Sequence, residues 1–330
     1  MTEPIFKQRL SRMACELVRP LVGRRAVLWH APYHANIGDT LIWQGELDLL
    51  RKLGVRVEGC DNEWTCRYPE LDGDVAILLH GGGNFGTLYP TAGAFRRKVL
   101  GRYPHHRVVM MPQSVYYSGD EAGRRELAAD VEAFSAHSDA VMCARDRVSY
   151  DFMRRHFPAN RVLLVPDMAF CIDFSRLEPY CGRASRAGAL YIRRLDEEIT
   201  GAGREAAAGY GDVRDWDDRF HPGFWIGKKL LWLNVRLSYT RFSGSLAAKA
   251  AGSMLRTHYN CLMRGVAMRR GCRMIAPYDR VVSTRLHGMI LAGMLGKPVE
   301  YVDNLTGKLG AFVDTWLSDC PEMFRPYVAP

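Results

Sequence analysis

Paired cysteines are missing from this sequence. Its nine cysteines include no Cys-X-X-Cys spacing, their number is odd, and most of them lie in apolar stretches. We therefore expect reduced thiols rather than a disulfide framework, as is typical of cytoplasmic proteins. No cysteine or histidine pairs have the spacing of zinc ligands, so we expect no bound metal.

Long apolar runs are missing as well. No stretch reaches the roughly 20 residues that a helix needs to cross a bilayer. Residues 1–20 mix apolar and basic side chains at helical spacing, without the continuous apolar segment and cleavage site of a signal peptide. We expect a cytoplasmic protein.

Acidic residues are outnumbered by basic ones, 36 against 45, which leaves a net charge of +9 over 330 residues. Such a balance suits nucleic acid, a membrane surface or an acidic substrate. No nucleic-acid-binding motif accompanies the charge, so we expect no nucleic-acid partner. The length predicts two domains, and the 48% of apolar residues suffices to fill their cores.

A glycine-rich stretch at 81–86 directly follows a predicted strand and satisfies the Gly-X-Gly-X-X-Gly pattern of dinucleotide sites. The acidic residue that binds the ribose about 20 positions further on is missing, since no Asp or Glu occurs between 75 and 119. Residues 80–83 also match the His-Gly-Gly-Gly oxyanion loop of esterases, but no Gly-X-Ser-X-Gly elbow exists in the chain. We interpret the stretch as a glycine-lined loop that lets a ligand approach the backbone.

Short apolar segments and helical patterns alternate along the first half of the chain, which favours a parallel α/β sheet. We predict strands at 27–30, 55–58, 74–80, 107–114, 140–146 and 161–166, helices at 41–53 and 120–137, and a further helix beginning at 149. These units indicate one doubly wound domain, for which we take residues 1–175.

The second half follows a polar, turn-rich stretch. We predict a linker at 173–188, strands at 188–194, at 281–285 and beginning at 299, helices at 247–270, 287–296 and 312–317, and a loop at 200–222. Residues 176–310 then form a second domain. Residues 311–330 form a C-terminal helix and tail that we expect to pack back on the first domain.

The stretch 281–292 is the most informative part of the chain. It is predicted to be a buried strand that turns at Arg285 into a helix, and a helix N-terminus attracts anions. The turn also carries a guanidinium that fits carboxylate or phosphate, and two residues later the imidazole of His287. Our hypothesis is an anionic small molecule at 285–288, with His287 active in the chemistry. The alternative is an arginine paired with a carboxylate and a histidine at a loop edge.

Two other strand ends carry polar residues. In parallel sheets the carboxyl ends of strands form the binding site. Arg145 lies at such an end, and the loop before the 41–53 helix contains Asn36, Gly38 and Asp39. Asp39 equally fits a helix cap.

Residues 224–237 are amphipathic, aromatic and basic. Such a mixture fits a helix on a membrane surface, whose aromatic rings lie at headgroup level and whose lysines meet anionic lipid. The alternative is a surface helix packed on its own domain.

Six stretches, in this order along 25–317, resemble the polysaccharide pyruvyltransferase family. They are Asn36-Ile37-Gly38-Asp39, His80-Gly81-Gly82-Gly83-Asn84-Phe85-Gly86, Ala144-Arg145-Asp146 with Ser149, Val165-Pro166-Asp167, Ser283-Thr284-Arg285-Leu286-His287-Gly288 and Asp303-Asn304-Leu305-Thr306-Gly307-Lys308. Residues 200–245 show no family pattern, which leaves the acceptor side open.

The resemblance implies two Rossmann-like domains with parallel sheets, arranged as in GT-B glycosyltransferases, with the active site in the interdomain cleft. It implies transfer of the enolpyruvyl group of phosphoenolpyruvate to a sugar, giving a pyruvate ketal and phosphate without another cofactor. The donor would be bound by Arg145, Arg285, Leu286 and His287. We expect seven further matched residues to bind the acceptor or to line the cleft: Asn36, Gly38, Gly82, Gly83, Asn84, Asn304 and Lys308.

The residues agree with this chemistry. Phosphoenolpyruvate carries about three negative charges, for which Arg145 and Arg285 are natural counterions. We assign His287 as the acid that protonates the methylene carbon, and Asp39 as the base or as the group that orients a sugar hydroxyl. The arginines can carry the charge without a metal.

The expected acceptor is a glycan, and a glycan linked to undecaprenyl diphosphate is one candidate. Residues 224–237 would then contact the inner face of the membrane. One alternative is a GT-B glycosyltransferase that uses a nucleotide sugar. Such an enzyme would need acidic or aromatic residues to bind the ribose and base, whereas the 281–292 turn offers only Arg and His. The other alternative is a non-catalytic basic binding module.

Overall fold

The computed structural model describes residues 2–182, 186–195, 200–215, 221–238, 244–303 and 307–328. Among these residues, no helix is both long and apolar enough to cross a membrane.

The first half is built on a parallel sheet. Its strands are β1 (Arg25–Trp29), β2 (Arg56–Asp61), β3 (Val75–Leu79), β4 (Gly82–Gly86), β5 (Val108–Tyr116), β6 (Ala140–Ala144) and β7 (Arg161–Leu164). They are ordered β2-β1-β3-β5-β6-β7, and β4 pairs with β5. The helices are α1 (Ile5–Val18), α2 (Ile37–Lys52), α3 (Pro90–Arg102), α4 (Glu121–Ser135) and α5 (Arg147–His156).

Both faces of this sheet are covered. Because successive residues of a strand point to opposite faces, neighbouring residues of β1 enter different cores. Leu28 packs in a core with residues of α1 and α2, whereas Trp29 packs in a core with residues of α3, α4 and α5. Strands β3 and β6 are buried along their whole length, as expected of central parallel strands.

The second half repeats the plan with a smaller parallel sheet. Its strands are β8 (Arg186–Ile192), β9 (Asp212–Arg214), β10 (Tyr278–Ser283), β11 (Val299–Tyr301) and β12 (Phe324–Pro326), in the order β12-β11-β10-β8-β9. The helices are α6 (Gly201–Ala207), α7 (Pro222–Ser238), α8 (Leu246–Thr257), α9 (Arg264–Ile275), α10 (Leu286–Met294) and α11 (Lys308–Trp316), and a π-helical turn at His258–Met263 joins α8 to α9. Two Rossmann-like parallel sheets confirm the predicted fold class.

The two halves share one hydrophobic core. Residues of α1 and α2 pack in it together with residues of α9 and α10. Phe6 of α1 meets Phe324 of β12 edge to face, with ring centroids 5.3 Å apart. A Cβ at Gly45 of α2 would lie 1.7 Å from the carbonyl oxygen of Met168, so glycine is required where this helix crosses the turn after β7.

Two local predictions were wrong, and one strand was missed. Residues 200–222 were expected to be a loop, but they contain α6, which Thr200 caps, and β9, which pairs with β8. The glycine-rich 81–86 stretch, also expected to be a loop, contains β4. Such short elements depend on pairing with distant strands, and local patterns are weak for them. Strand β12 was missed for the same reason.

Helix α11 joins the halves near the end of the chain. The indole Nε1 of Trp316 donates to the carbonyl oxygen of Arg145 at 2.7 Å, and the backbone N–H of Arg147 donates to Oγ1 of Thr315 at 3.0 Å. The following β12 completes the second sheet. The domain boundaries at 175 and 310 stay a prediction.

Candidate active site

A cavity of about 410 Å³ is lined by residues of both halves. Its lining residues include His30 after β1, His80 after β3, Arg145 after β6 and Arg285 after β10, together with Arg194 after β8. All five follow the carboxyl ends of parallel strands, which is where α/β sheets bind ligands.

The side chain of Ser283 bridges the turn from β10 into α10 by two hydrogen bonds. Oγ of Ser283 accepts from the N–H of Arg285 at 3.1 Å and donates to the carbonyl oxygen of the same residue at 2.8 Å. Gly288 is required in this turn, because a Cβ there would lie 2.6 Å from Oγ of Ser283. Leu286 and the rest of α10 are buried, so the helix presents its first N–H groups at a fixed place.

His287 is held by the first half of the chain. Its Nε2 lies 3.3 Å from Oδ2 of Asp167. On the other side the ring packs on Gly38, where a Cβ would lie 2.7 Å from Nδ1 of His287. The absence of a side chain at Gly38 therefore makes room for the imidazole.

Asp167 also binds Arg145. Nη1 of Arg145 donates to Oδ2 of Asp167 at 3.0 Å, Nε donates to Oγ of Ser114 at 2.8 Å, and both charged side chains are almost fully buried. Burial alone would raise the pKa of Asp167, but the neighbouring His287 and Arg145 hold it below its ordinary value. Asp167 was not among the predicted site residues, although its position just after β7 was a usable signal.

Arg285 has its own carboxylate. Its Nε and Nη2 lie 3.0 and 2.8 Å from Oδ1 of Asp215, and both side chains are about nine-tenths buried. An arginine–carboxylate pair was the alternative considered for this turn. The guanidinium also lines the cavity, so the pair fixes the guanidinium at its edge.

The loop before α2 brings three predicted residues together. The cap of α2 is Asn36, whose Oδ1 accepts from the N–H of Gly38 at 2.9 Å. Asp39 lies in the first turn instead and accepts from Nδ2 of Asn36 at 2.9 Å. Both Asn36 and Asp39 line the cavity, whereas Gly38 packs behind them.

The glycine-rich strand β4 passes close to Arg145. A Cβ at Gly83 would lie 3.1 Å from Nη2 of Arg145 and 3.9 Å from Nζ of Lys308, so the two cations approach the same strand. Gly82 has a φ of 132°, which favours glycine. The side chain of Asn84 lines the cavity and accepts from Nη1 of Arg96 at 3.0 Å. Asn304 lies outside the described residues.

A further part of the cavity was missed by the sequence analysis. His30, Glu63, Trp64 and Tyr89 line it, and Leu231 of α7 lines it as well. Nε2 of His30 lies 3.9 Å from Oε2 of Glu63. Burial lowers the pKa of His30 and raises that of Glu63, so both groups are shifted towards their neutral forms.

His30 has a backbone φ of 67°, which is uncommon for a residue other than glycine, and such conformations recur at active sites. Its position directly after β1 was the signal that could have identified it. Among the residues that the structure describes, no group of three or more His, Cys, Asp and Glu side chains is arranged to hold a metal ion.

Comparisons with known proteins identify the family of the chain. The sequence model of the family described as polysaccharide pyruvyl transferase matches residues 36–304. The Bacillus subtilis protein named "Putative pyruvyl transferase EpsO" is 29% identical over 330 residues, which cover 96% of this chain and 92% of its own. "Pyruvyl transferase 1" of Schizosaccharomyces pombe is 29% identical over 311 residues, which cover 90% of this chain and 71% of its own.

The fold has a solved counterpart. The crystal structure of a Klebsiella pneumoniae protein described as uncharacterized superposes with a TM-score of 0.58 at 17% identity and covers 99% of this chain and 100% of its own. At that identity the likeness shows the fold alone. The family match spans most of the chain and includes the Arg145 and 285–288 stretches of the cavity. The chain therefore belongs to the polysaccharide pyruvyl transferase family, which confirms the resemblance.

Proposed function

We propose that this transferase moves the enolpyruvyl group of phosphoenolpyruvate onto two hydroxyls of a hexose, which gives a pyruvate ketal and phosphate. The observation that carries the proposal is the cationic end of the cavity. Arg145, Arg194, Arg285 and Lys308 line it together with His287, which lies in the first turn of α10. Such a group of charges suits a small ligand that carries a carboxylate and a phosphate.

The carboxylate partners of the arginines are compatible with donor binding. An arginine has five N–H donors, so a pair with one carboxylate leaves some of them available. Arg145 uses Nε and Nη1 internally, and its Nη2 lies towards Gly83 at the cavity wall. Asp167 thus orients the guanidinium, and Nη2 remains to bind the donor.

The reaction needs two proton transfers around C2 and C3 of the donor. His287 gives a proton to the methylene carbon C3 while the first hydroxyl oxygen bonds to C2, and the π pair of the double bond forms the new C–H bond. The second hydroxyl then bonds to C2 as the C2–O bond to phosphate breaks. One hydroxyl proton is balanced by the new methyl hydrogen, and the other leaves with phosphate. Asp39, at the cavity wall, orients a sugar hydroxyl.

The hexose occupies the other end of the cavity in this proposal. Trp64 and Tyr89 supply aromatic surface, and His30 and Glu63 supply hydrogen-bonding groups. Helix α7 adjoins this end: Nδ2 of its buried Asn234 donates to the carbonyl oxygen of Trp64 at 2.8 Å.

We further propose that the acceptor is lipid-linked, for example to undecaprenyl diphosphate, and that α7 contacts an anionic membrane surface. Trp225 and Trp232 on this helix are each 60% exposed, and Lys229 and Arg236 lie over their rings at 4.5 and 5.1 Å. Exposed indoles beside cations suit the headgroup region of a bilayer. The same helix lines the cavity through Leu231. A sugar bound in the cavity would therefore lie next to the helix that contacts the membrane holding its lipid. The protein would then act in the cytoplasm, at the inner face of the membrane.

The test of the reaction is incubation with phosphoenolpyruvate and a panel of aryl and lipid-linked hexosides. Mass spectrometry should detect the ketal on one of them, and free phosphate should appear in equal amount. His287→Ala should abolish turnover, whereas His105→Ala, at an exposed position outside the cavity, should not. Transfer of a hexose from a nucleotide sugar, with release of the nucleotide, would support the glycosyltransferase instead.

The membrane contact is tested by flotation with vesicles of anionic or neutral lipid. The full chain should float with anionic vesicles only, and the Trp225→Ala/Trp232→Ala variant should float less. Val328→Ala, which removes exposed apolar surface outside α7, serves as the control. Equal flotation of both variants and the parent protein would contradict a contact through α7.

A further inference from the structure

Another histidine–carboxylate pair borders the same cavity through His80. Nδ1 of His80 lies 2.6 Å from Oε2 of Glu46, and the other oxygen of this carboxylate accepts from the N–H of Gly81 at 2.9 Å. Glu46, from α2, is fully buried and His80 is 2% exposed. Both carboxylate oxygens therefore hold the end of β3 and the imidazole in place.

The opposite edge of the ring has no partner. Nε2 of His80 is buried and makes no hydrogen bond within the part of the chain that the structure describes. A buried polar atom without a partner costs free energy, so its retention at a cavity wall needs a reason. When Nδ1 donates its hydrogen to Glu46, Nε2 carries the lone pair and can accept a proton.

We propose that His80, oriented by Glu46, is the general base that removes the proton from the attacking sugar hydroxyl. The inference rests on the proposed ketal-forming reaction and adds the group that this reaction requires opposite the acid. A carboxylate that fixes the tautomer of a histidine, whose other nitrogen activates a hydroxyl, is a recurrent catalytic arrangement. Substrate binding commonly tightens such contacts beyond what the free protein shows.

The two histidines then have different tasks. As the hydroxyl oxygen bonds to C2 of the donor, its proton passes to Nε2 of His80 and His287 delivers one to C3. His80 ends the step protonated beside Glu46, and His287 ends it neutral beside Asp167, so charge is conserved.

The surroundings of His80 suit a base. Burial would lower the pKa of His80, but the charge and hydrogen bond of Glu46, with Asp39 and Asp167 adding to them, raise it above its ordinary value. These groups come from α2 and from the turn after β7, and His30 after β1 is the neighbouring imidazole. A base of raised pKa accepts a hydroxyl proton more readily.

The test uses the full-length protein and His80→Asn. An asparagine amide reaches Glu46 in place of Nδ1–H, so the internal hydrogen bond is kept while Nε2 is removed. We expect kcat to fall at least about 100-fold with the KM for phosphoenolpyruvate nearly unchanged. His137→Asn is the control, because His137 is also buried and hydrogen-bonded but lies outside the cavity.

The pH dependence separates a base from a structural residue. The acidic limb of the pH profile of kcat/KM should disappear in His80→Asn, and in Glu46→Gln it should move to lower pH, since Glu46 raises the pKa of His80. Circular dichroism establishes that both variants are folded. A folded His80→Asn with kcat within threefold of the parent, or an unmoved limb in Glu46→Gln, overturns the inference. Failure of the parent protein to form any ketal overturns the proposed function instead.

Discussion

Replacing Asp167 by asparagine should destabilise the protein and lower its activity for the same reason, which is the loss of the negative charge beside Arg145 and His287. Oδ2 of Asp167 faces Nη1 of Arg145 at 3.0 Å and Nε2 of His287 at 3.3 Å. The asparagine side chain can take two orientations in the variant. Either its N–H₂ group faces these donors, or its uncharged amide oxygen does. The contact of Oδ1 with the N–H of Ala169, at 2.9 Å, has to be given up in the second case. Either way Arg145 stays buried without a counter-charge.

The magnitude follows from burial. Breaking a buried ion pair by removing one partner costs about 3–5 kcal/mol, whereas an exposed pair contributes about 0–1 kcal/mol. Asp167 and Arg145 are 1% and 2% exposed, so theirs is a buried ion pair. We therefore expect the free energy of unfolding to fall by about 4 kcal/mol at neutral pH.

The sign of the pH dependence follows from the pKa. The folded-state pKa of Asp167 lies below its ordinary value, so its ionisation stabilises the fold above the unfolded-state pKa of about 4 and this stability is lost as the pH falls through the folded-state pKa. The difference between parent and variant should thus be constant from pH 7 to about pH 5 and shrink below about pH 4.

Guanidinium chloride unfolding, followed by tryptophan fluorescence at several pH values, measures the difference. Asp139→Asn is the matched control, because Asp139 pairs with Arg107 at 2.8 Å but both side chains are about 40% exposed. A loss in Asp167→Asn no larger than in this control, or one independent of pH down to pH 3, would refute the reasoning.

Three further substitutions test the geometry. Gly45→Ala should lower the free energy of unfolding by about 3 kcal/mol, because its Cβ would lie 1.7 Å from the carbonyl oxygen of Met168. Gly54→Ala is the control: open space surrounds Gly54, so this variant should show only the backbone cost of a positive φ. Gly38→Ala should lower kcat about tenfold or more without unfolding the protein, because the methyl group displaces His287, and steady-state kinetics with a thermal melt would show both. Glu63→Gln should raise the KM for the glycan about tenfold and leave that for phosphoenolpyruvate unchanged, and equal effects on both would contradict a separate acceptor end.

Strand patterns and topology were enough to predict the sheet edge at which the cavity lies. Arg145, Asp39 and Arg285 were chosen because each follows a predicted strand, and all three line one cavity. This works because parallel strands bring their carboxyl ends together, whatever the sequence distance between them. The doubly wound sheet of the first half followed from the same alternation of strands and helices, whereas the second Rossmann-like sheet was implied by the family resemblance.

The partners of these residues were not predictable. Asp167, Asp215 and Glu46 each pair with a residue between 22 and 120 positions away. No local pattern reports such pairs, since they depend on how strands and helices pack in three dimensions. His30 and His80 were within reach of the strand-end argument, since each is the last residue of a predicted strand, but no functional pattern that the sequence analysis considered assigned them a role.

The position of His287 bears on how the site works. This residue belongs to the second half, yet its ring is held by Gly38 and Asp167 of the first. Any motion that separates the halves would take His287 from the carboxylate that it shares with Arg145. In the proposed reaction the donor site would therefore be assembled only while the halves are in contact, whereas the pair of His80 and Glu46 lies within the first half alone. A donor that bridges Arg145 and the start of α10 would favour the joined state, and its binding would place the acid opposite a base that is already in position.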